Sequence, residues 1–186
     1  MIYAVFERSD ETLIKQALNG KKQAWVALVK RYEKNLYNYT LRMVSNKDDA
    51  MDLMQDIFVA VFRNLSSFRG DSQFKSWMFK IAHYRCIEFY RRKKPTQSLD
   101  DVPELHEESD EDCPEQHLHR GQQAKELHVA MQSLSFNQKI VVELKFFQHC
   151  TFEDIAQQLG ISTNTAKSRL YSALDKLKDQ LEVNYV

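Results

Sequence analysis

The chain has 186 residues with 26 basic and 26 acidic side chains, so its net charge is zero and by itself indicates no partner. Hydrophobic residues make up 43%, enough for a buried core, whereas four glycines and three prolines are too few for the turns of an all-β fold. The longest apolar run, 57–62, is far shorter than the roughly 20 residues that span a bilayer, and three widely spaced cysteines do not form a disulfide framework. We therefore expect a helical protein in the cytoplasm.

The charge is distributed unevenly along the chain. Residues 1–94 carry a net charge of +8, residues 95–119 carry −9 without any lysine or arginine, and residues 120–186 carry +1. This pattern predicts two helical domains, 1–94 and 120–186, joined by a flexible acidic linker over 95–119. Because opposite charges attract, we also expect residues 100–115 of the linker to lie transiently over the basic surface of 75–94 in the free protein.

Apolar spacing predicts three helices at the start of the first domain. A short helix ended by Asn19-Gly20 precedes a long helix from Trp25 to Met43. A third helix, near 47–65, places acidic and polar residues opposite its apolar face. Such a face is typical of the solvated side of a bundle helix, and the alternative is a docking surface for a basic partner.

A turn at Gly70-Asp71 precedes a predicted helix over 74–93 in which aromatic residues alternate with lysines and arginines. Aromatic rings stack on bases while cations follow phosphates, so this composition suits single-stranded nucleic acid. The alternative is a core helix with a basic tail.

The second domain contains a helix-turn-helix pattern over 151–174. Two helices, marked by apolar residues from 127 to 134 and from 140 to 147, come before it. Gly160 supplies the turn and Ser162 is a suitable N-cap, so the last helix presents a polar, basic face that fits the major groove of DNA. A purely structural helical hairpin is the alternative.

Three segments together resemble the extracytoplasmic-function (group IV) sigma factors of the sigma-70 family, which give bacterial RNA polymerase its promoter specificity. Residues 49–58 (DAMDLMQDIF) resemble region 2.2, residues 68–77 (FRGDSQFKSW) resemble the loop and helix that open the −10 element, and residues 151–174 resemble region 4.2. The resemblance implies an all-α fold of two domains, a monomer when free and no enzymatic activity, cofactor or metal. It implies three partners: core RNA polymerase (its clamp helices and flap), promoter DNA and an anti-sigma factor.

The resemblance also implies a role for individual residues. The expected contacts with core polymerase are Asp49, Asp52, Leu53, Gln55, Asp56 and Phe58. The expected contacts with −10 DNA are Phe68, Arg69, Gly70, Asp71, Ser72, Phe74, Trp77, Lys80, Tyr84 and Arg91. The expected contacts with −35 DNA are Thr163, Asn164, Thr165, Lys167, Ser168, Arg169, Tyr171 and Ser172. The chain departs from the family where Met51 replaces a usual glutamate, Asn164 a common glycine and Ser135-Phe136 a frequent proline.

Two other interpretations remain open from the sequence. A dimeric helix-turn-helix regulator would explain the second domain but not the acidic face or the aromatic helix of the first. A metal site formed by Cys113, His117 and His119, with His106 nearby, has a spacing that fits no common zinc module well.

Overall fold

The computed structural model describes residues 8–44, 46–93 and 126–183, and within these ranges all regular structure is helical. The N-terminal half contains α1 (Asp10–Leu18), α2 (Lys22–Met43), α3 (Lys47–Asn64), a 3₁₀ turn (Leu65–Ser67) and α4 (Phe74–Lys93). The C-terminal half contains α5 (126–132), α6 (Phe136–Val142), a π-helical turn (Glu143–Phe147), α7 (Phe152–Leu159) and α8 (Thr163–Val183). The predicted all-α fold is confirmed.

Side-chain caps and a glycine set the ends of the first helices. The Ser9 hydroxyl accepts a hydrogen bond from the Thr12 amide, and the Asn46 side chain accepts one from the Asp49 amide at 2.7 Å. Gly20 follows α1 with φ +79°, a left-handed conformation that glycine adopts without steric cost. These signals confirm the predicted breaks between α1, α2 and α3.

α2 is the central helix of the N-terminal half, where it packs against α1 and α3 while α4 packs against α3. Its buried side includes Leu28, Leu36 and Tyr39, which are almost inaccessible to solvent. Because buried residues recur at steps of three or four along α2, one side of this helix faces the core over its whole length.

α7 and α8 form the predicted helix-turn-helix. Gly160 stands between them with φ +65°, and the Ser162 hydroxyl caps α8 by accepting the Thr165 amide at 3.0 Å. The buried Ile155 on α7 and Ala166 on α8 belong to the core, which fixes how α8 presents its outer face.

The two halves pack against each other, which the sequence did not predict. α6 lies against α2, and the buried hydrophobic residues of both halves form one continuous cluster. At the start of α6, the Phe136 ring has its centroid 4.9 Å from the Tyr90 ring and 6.0 Å from the His83 ring, both on α4.

The predicted acidic linker lies outside the described residues, and so do the candidate metal ligands Cys113, His117 and His119. The predicted contact between that linker and α4 therefore stays a prediction. In the part of the chain that the structure describes, no helix is long and apolar enough to cross a membrane.

Candidate functional site

The exposed face of α3 carries the predicted acidic residues. Asp52 is open to solvent and forms no ion pair among the described residues. Asp49 pairs with Lys93, and an Asp56 oxygen lies 3.6 Å from an Arg92 nitrogen, so the basic end of α4 partly neutralises one edge of this face. Of the three predicted carboxylates Asp49, Asp52 and Asp56, Asp52 is therefore the one most available to a partner.

The other edge of the same face is apolar. Phe62 is 56% exposed and its ring centroid lies 5.1 Å from that of Trp25 on α2, while Phe58 is half-buried at 6.4 Å from Trp25. These rings and the exposed Val59 line a groove of about 620 Å³ between α2 and α3. Gln55 lies exposed on this face as well. The α3 face thus combines carboxylates with an open apolar groove.

The loop before α4 is exposed and anchored by an aromatic residue. Residues 69–72 are open to solvent, and Gly70 has φ +80°, which favours glycine. The half-buried Phe68 ring lies 5.6 Å from Phe74 and 5.4 Å from Trp77. The contacts of the Phe68 ring with α4 therefore anchor the loop, while the polar residues of the loop face solvent.

One face of α4 continues this surface. Lys80, Tyr84 and Arg91 are exposed, Tyr84 by 54%, and at 100° per residue they lie within roughly 40° of each other around the helix. A ring flanked by two cations on an open surface matches the needs of single-stranded nucleic acid.

The outer face of α8 is polar and open. Asn164, Lys167, Ser168 and Tyr171 are exposed, and Tyr171 is 60% exposed. The opposite side of α8 packs on α6 and α7. This is the orientation in which the second helix of a helix-turn-helix enters the major groove.

The remaining predicted residues of α8 are less free. Thr163, Thr165 and Arg169 are half-buried, and the Ser172 hydroxyl lies 3.0 Å from the Gln138 side-chain nitrogen of α6, which donates to it. The predicted outer face of α8 is therefore centred on Lys167, Ser168 and Tyr171 rather than spread evenly over all eight residues.

Comparison with known proteins identifies the family to which the chain belongs. Residues 28–96 match the family Sigma-70 region 2, and residues 124–177 match the family Sigma-70, region 4. The chain is 31% identical to the RNA polymerase sigma factor SigV of Bacillus subtilis (strain 168), over 87% of this chain and 95% of that protein. This chain belongs to the extracytoplasmic-function sigma factors of the sigma-70 family. As a sigma factor it is a non-enzymatic subunit for promoter recognition and transcription initiation.

Two further relatives support the assignment of this chain to the sigma factors. It is 26% identical to the ECF RNA polymerase sigma factor SigW of the same Bacillus strain, over 90% of this chain and 94% of that protein. The solved structure of the sigma factor RpoE in complex with the anti-sigma factor NepR from Bartonella quintana is similar with a TM-score of 0.63 and 25% identity, over 83% of this chain and 94% of that one.

Two predicted contact residues of the sigma factor are core residues instead. Leu53 is 1% exposed on the inner side of α3, so it has no surface to offer core polymerase. Phe74 is 4% exposed because its ring packs between Tyr32 and Phe68, so it cannot meet DNA directly. Both residues were predicted as contacts because they lie inside motifs that resemble the family. Such motifs contain buried structural residues as well as residues that contact a partner.

The sequence also missed residues that the structure makes prominent. Val59 and Phe62 are exposed apolar side chains beside the acidic residues of α3. The sequence did contain a signal for Val59, since this apolar residue falls on the polar side of the α3 helix wheel. Gln132, Lys139 and Glu143 are polar yet buried, and their covering by the other half of the chain is a tertiary effect that no local pattern shows.

Proposed function

We propose that this sigma factor docks on core RNA polymerase through the exposed face of α3, captures the opened −10 strand with the 68–73 loop and α4, and reads the −35 duplex with α8. The proposed domains are 1–94 and 120–186 with the linker 95–119 between them. The single observation that carries this proposal is the α3 face, because no free-standing DNA-binding regulator needs a solvent-exposed carboxylate surface beside an open apolar groove.

The proposed docking contacts combine charge with apolar burial. Asp52, Gln55 and Asp56 supply acceptors for a basic helix, and Phe58 with the newly found Phe62 supply an apolar anchor. Aromatic anchors in a pocket contribute most of the binding energy at protein interfaces, whereas rim charges mainly steer association and select the partner. The α3 face offers both features side by side.

The proposed DNA contacts follow the exposure of each residue. For the −10 strand they are Phe68, Arg69, Gly70, Asp71, Ser72, Trp77, Lys80, Tyr84 and Arg91, with Trp77 acting from its half-buried position. For the −35 duplex they are Thr163, Asn164, Thr165, Lys167, Ser168, Arg169, Tyr171 and Ser172. Lysines and arginines hold phosphates, while side chains at the centre of the groove face set base preference.

Two further expectations belong to this proposal. The similarity to RpoE, whose solved structure contains the anti-sigma factor NepR, supports an anti-sigma factor as a partner of this chain. A protein that assembles with RNA polymerase works in the cytoplasm, and we expect it to be a monomer when free.

The decisive experiment measures the affinity of the full-length protein for bacterial core RNA polymerase. Asp52→Lys places a cation opposite the basic helix that the proposal requires, and we expect binding to weaken about tenfold or more, or ~1.4 kcal/mol. Asp52 is the cleanest choice because its replacement breaks no ion pair among the described residues, whereas Asp56→Lys also disrupts the contact with Arg92.

The matched control is Glu33→Lys, which makes the same charge change at an exposed position on α2. Core affinity should be unchanged in this variant. If Asp52→Lys bound core polymerase as tightly as wild type with unchanged helicity, the docking role of α3 would be wrong. Symmetric protection of DNA half-sites by the protein alone would instead favour the dimeric regulator.

A further inference from the structure

Two lysines meet on one aromatic ring at the start of α7. The Lys145 Nζ of the π-helical turn lies 4.7 Å from the centroid of the Phe152 ring, and the Lys167 Nζ of α8 lies 5.6 Å from the same centroid. The negative face of an aromatic ring attracts a cation at such distances. The Phe152 ring therefore holds two ammonium groups near each other, although like charges repel.

The backbone of the turn before α7 fixes Lys145 in place. The Cys150 amide donates to the Leu144 carbonyl at 2.9 Å, and the Lys145 Nζ donates to the Cys150 carbonyl at 3.2 Å. His149, directly before Cys150, has φ 57°, a left-handed conformation that is uncommon for residues other than glycine. The turn therefore folds back onto the Lys145 side chain, which is half-buried.

The two ammonium groups keep their charge and most of their hydrogen-bonding capacity. Neither Lys145 nor Lys167 forms an ion pair with a carboxylate in the part of the chain that the structure describes. An ammonium group has three N–H donors, and the Cys150 carbonyl accepts only one from Lys145. The pair can therefore bind an anion.

The carboxylates in the first turn of α7 do not neutralise this pair. Asp154 accepts hydrogen bonds from the Thr151 amide at 2.9 Å and from the Thr151 hydroxyl at 2.7 Å, so it closes the capping box of α7. These hydrogen bonds lower the pKa of Asp154. Glu153 is exposed and is rotated by about 100° from Phe152 around the helix. The surface at the Phe152 ring is therefore cationic.

The lysine pair lies where a helix-turn-helix meets the DNA backbone. In this motif the second helix enters the major groove while the first helix crosses the backbone. Lys167 is exposed on the outer face of α8, and Phe152 is the first residue of α7. The ring thus connects the helix that faces the groove with the helix that crosses the backbone.

We propose that Lys145 and Lys167 bind phosphates of the strand that borders the −35 element, and that Phe152 positions both ammonium groups for this contact. Lys145 and Phe152 thereby become −35 residues beyond those assigned to α8. The inference rests on the proposed function, from which it takes that α8 faces the −35 duplex. Phosphate contacts carry no sequence information, but they set the register in which side chains such as Tyr171 meet the base edges.

A lysine that is already held in place is well suited to this contact. Ordering a long, flexible side chain costs entropy on binding, and the ring and the Cys150 carbonyl order Lys145 before DNA is bound. Neutralising a phosphate also releases condensed counter-ions, so the contact becomes stronger as the salt concentration falls. Loss of Lys145 should therefore weaken binding to every DNA sequence alike and reduce its salt dependence.

The test uses holoenzyme, assembled from core polymerase and the full-length protein, and a promoter duplex that the wild-type holoenzyme selects. Lys145→Gln should weaken binding about five- to tenfold at 50 mM salt, and this loss should shrink by about 3.5-fold at 200 mM because one phosphate fewer is neutralised. A duplex with a scrambled −35 sequence should show the same change. The matched control is Lys34→Gln, which removes the same charge from an exposed position on α2 and should bind as wild type does.

Two substitutions of Phe152 separate positioning from packing. Phe152→Leu keeps an apolar side chain but removes the aromatic face, so it should weaken binding about two- to threefold at 50 mM salt and reduce the salt dependence. Phe152→Tyr keeps the ring and should bind as wild type does. A Phe152→Leu variant with the salt dependence of wild type would show that the ring only packs, and would overturn its positioning role.

Ethylation interference locates the contact on the DNA. Ethylation of the phosphates that border the −35 element should block binding of the wild-type holoenzyme, and Lys145→Gln should tolerate the modification at one of these positions. The same interference pattern and the same salt dependence in Lys145→Gln and wild type would overturn the proposal and leave Lys145 as a cap of its turn. Failure of the proposed function gives a different result, because the wild-type holoenzyme would then bind the selected and the scrambled −35 duplexes equally well.

Discussion

Two polar faces of region 4 look alike in sequence and differ completely in surroundings. The outer face of α8 presents Lys167, Ser168 and Tyr171 to solvent, whereas α6 and its π-helical turn bury Lys139 and Glu143 against region 2. A helix with polar residues on one side therefore does not reveal whether that side meets water, DNA or another part of the same chain.

The difference is visible in the hydrogen bonds of each face. On the α6 side, Glu143 has defined partners in Arg42 and Gln148, and Lys139 has one in Gln132, as buried polar groups require. On α8, the Ser168 hydroxyl bonds only locally, to the Thr165 carbonyl. The buried face is thus already satisfied, and the exposed face keeps its hydrogen-bonding capacity for a ligand.

The largest expected effect comes from removing the apolar centre of the buried face. Phe136→Ala deletes the ring that packs on α4, and large-to-small changes at such sites cost about 3–5 kcal/mol. We expect calorimetry of the free protein to change from one cooperative unfolding transition to two, because the two regions no longer unfold together.

Phe146→Ala is the matched control for this change. Phe146 lies in the π-helical turn but is 50% exposed, so the same substitution there should leave a single transition. Two transitions in wild type, or one in Phe136→Ala, would show that the contact does not couple the regions.

A smaller effect is expected from pH, acting through Lys139. Burial lowers the pKa of this lysine from 10.5 to about 7 when region 4 is packed on region 2. When the two regions separate, the lysine is exposed to water and its pKa returns toward its ordinary value. The groups that face it are Tyr90 of α4, Gln132 of α5 and, one turn along, Glu143 with its partner Arg42.

The sign follows from proton uptake on opening. Between pH 7 and 10.5 a chain whose two regions have separated (the open state) binds a proton on Lys139, whereas the chain with region 4 packed on region 2 (the closed state) does not. The free energy that favours packing of the two regions should therefore fall as pH falls and reach its minimum near pH 7. The closed-to-open ratio should change by up to about tenfold per pH unit in this window. The variant Arg42→Met, which removes the partner of the buried Glu143, is used because it weakens the packing of the two regions. Its radius of gyration at pH 7.5 and 9.5 reports the change in the closed-to-open ratio, and the added substitution Lys139→Met should abolish that change. A shift that persisted without Lys139 would assign it to another group.

Most of the fold was predictable from local signals. The ends of α1 and α7 carry glycines, α8 carries a serine cap, and the apolar spacing of α2 and α3 identifies their buried sides. The exposed residues of the α8 face, such as Tyr171, followed from the same periodicity. Helix ends and buried sides depend on residues only a few positions apart in the chain. Such local patterns can be recognised in the sequence without knowledge of the fold.

The rest depended on contacts between distant positions. Glu143 and Arg42 are 101 residues apart, and nothing near either residue indicates the other. Likewise, Leu53 and Phe74 were assigned to binding surfaces because a motif does not distinguish residues that hold a surface in place from those that form it. Burial decides between these roles, and burial is a property of the assembled fold.

The smallest expected effect distinguishes two neighbours on the exposed face. Tyr171 is free to reach base edges, whereas the Ser172 hydroxyl already accepts a hydrogen bond from Gln138. Selection of −35 sequences by the polymerase holoenzyme should therefore broaden in Tyr171→Ala, where a lost base contact is worth about 1–3 kcal/mol at one position. Ser172→Ala should broaden the selected sequence less than Tyr171→Ala does, and Tyr171→Phe shows whether the ring or the hydroxyl of Tyr171 carries the preference. If Ser172→Ala altered the selected bases more than Tyr171→Ala, the groove face of α8 would be centred one residue later than its exposure indicates.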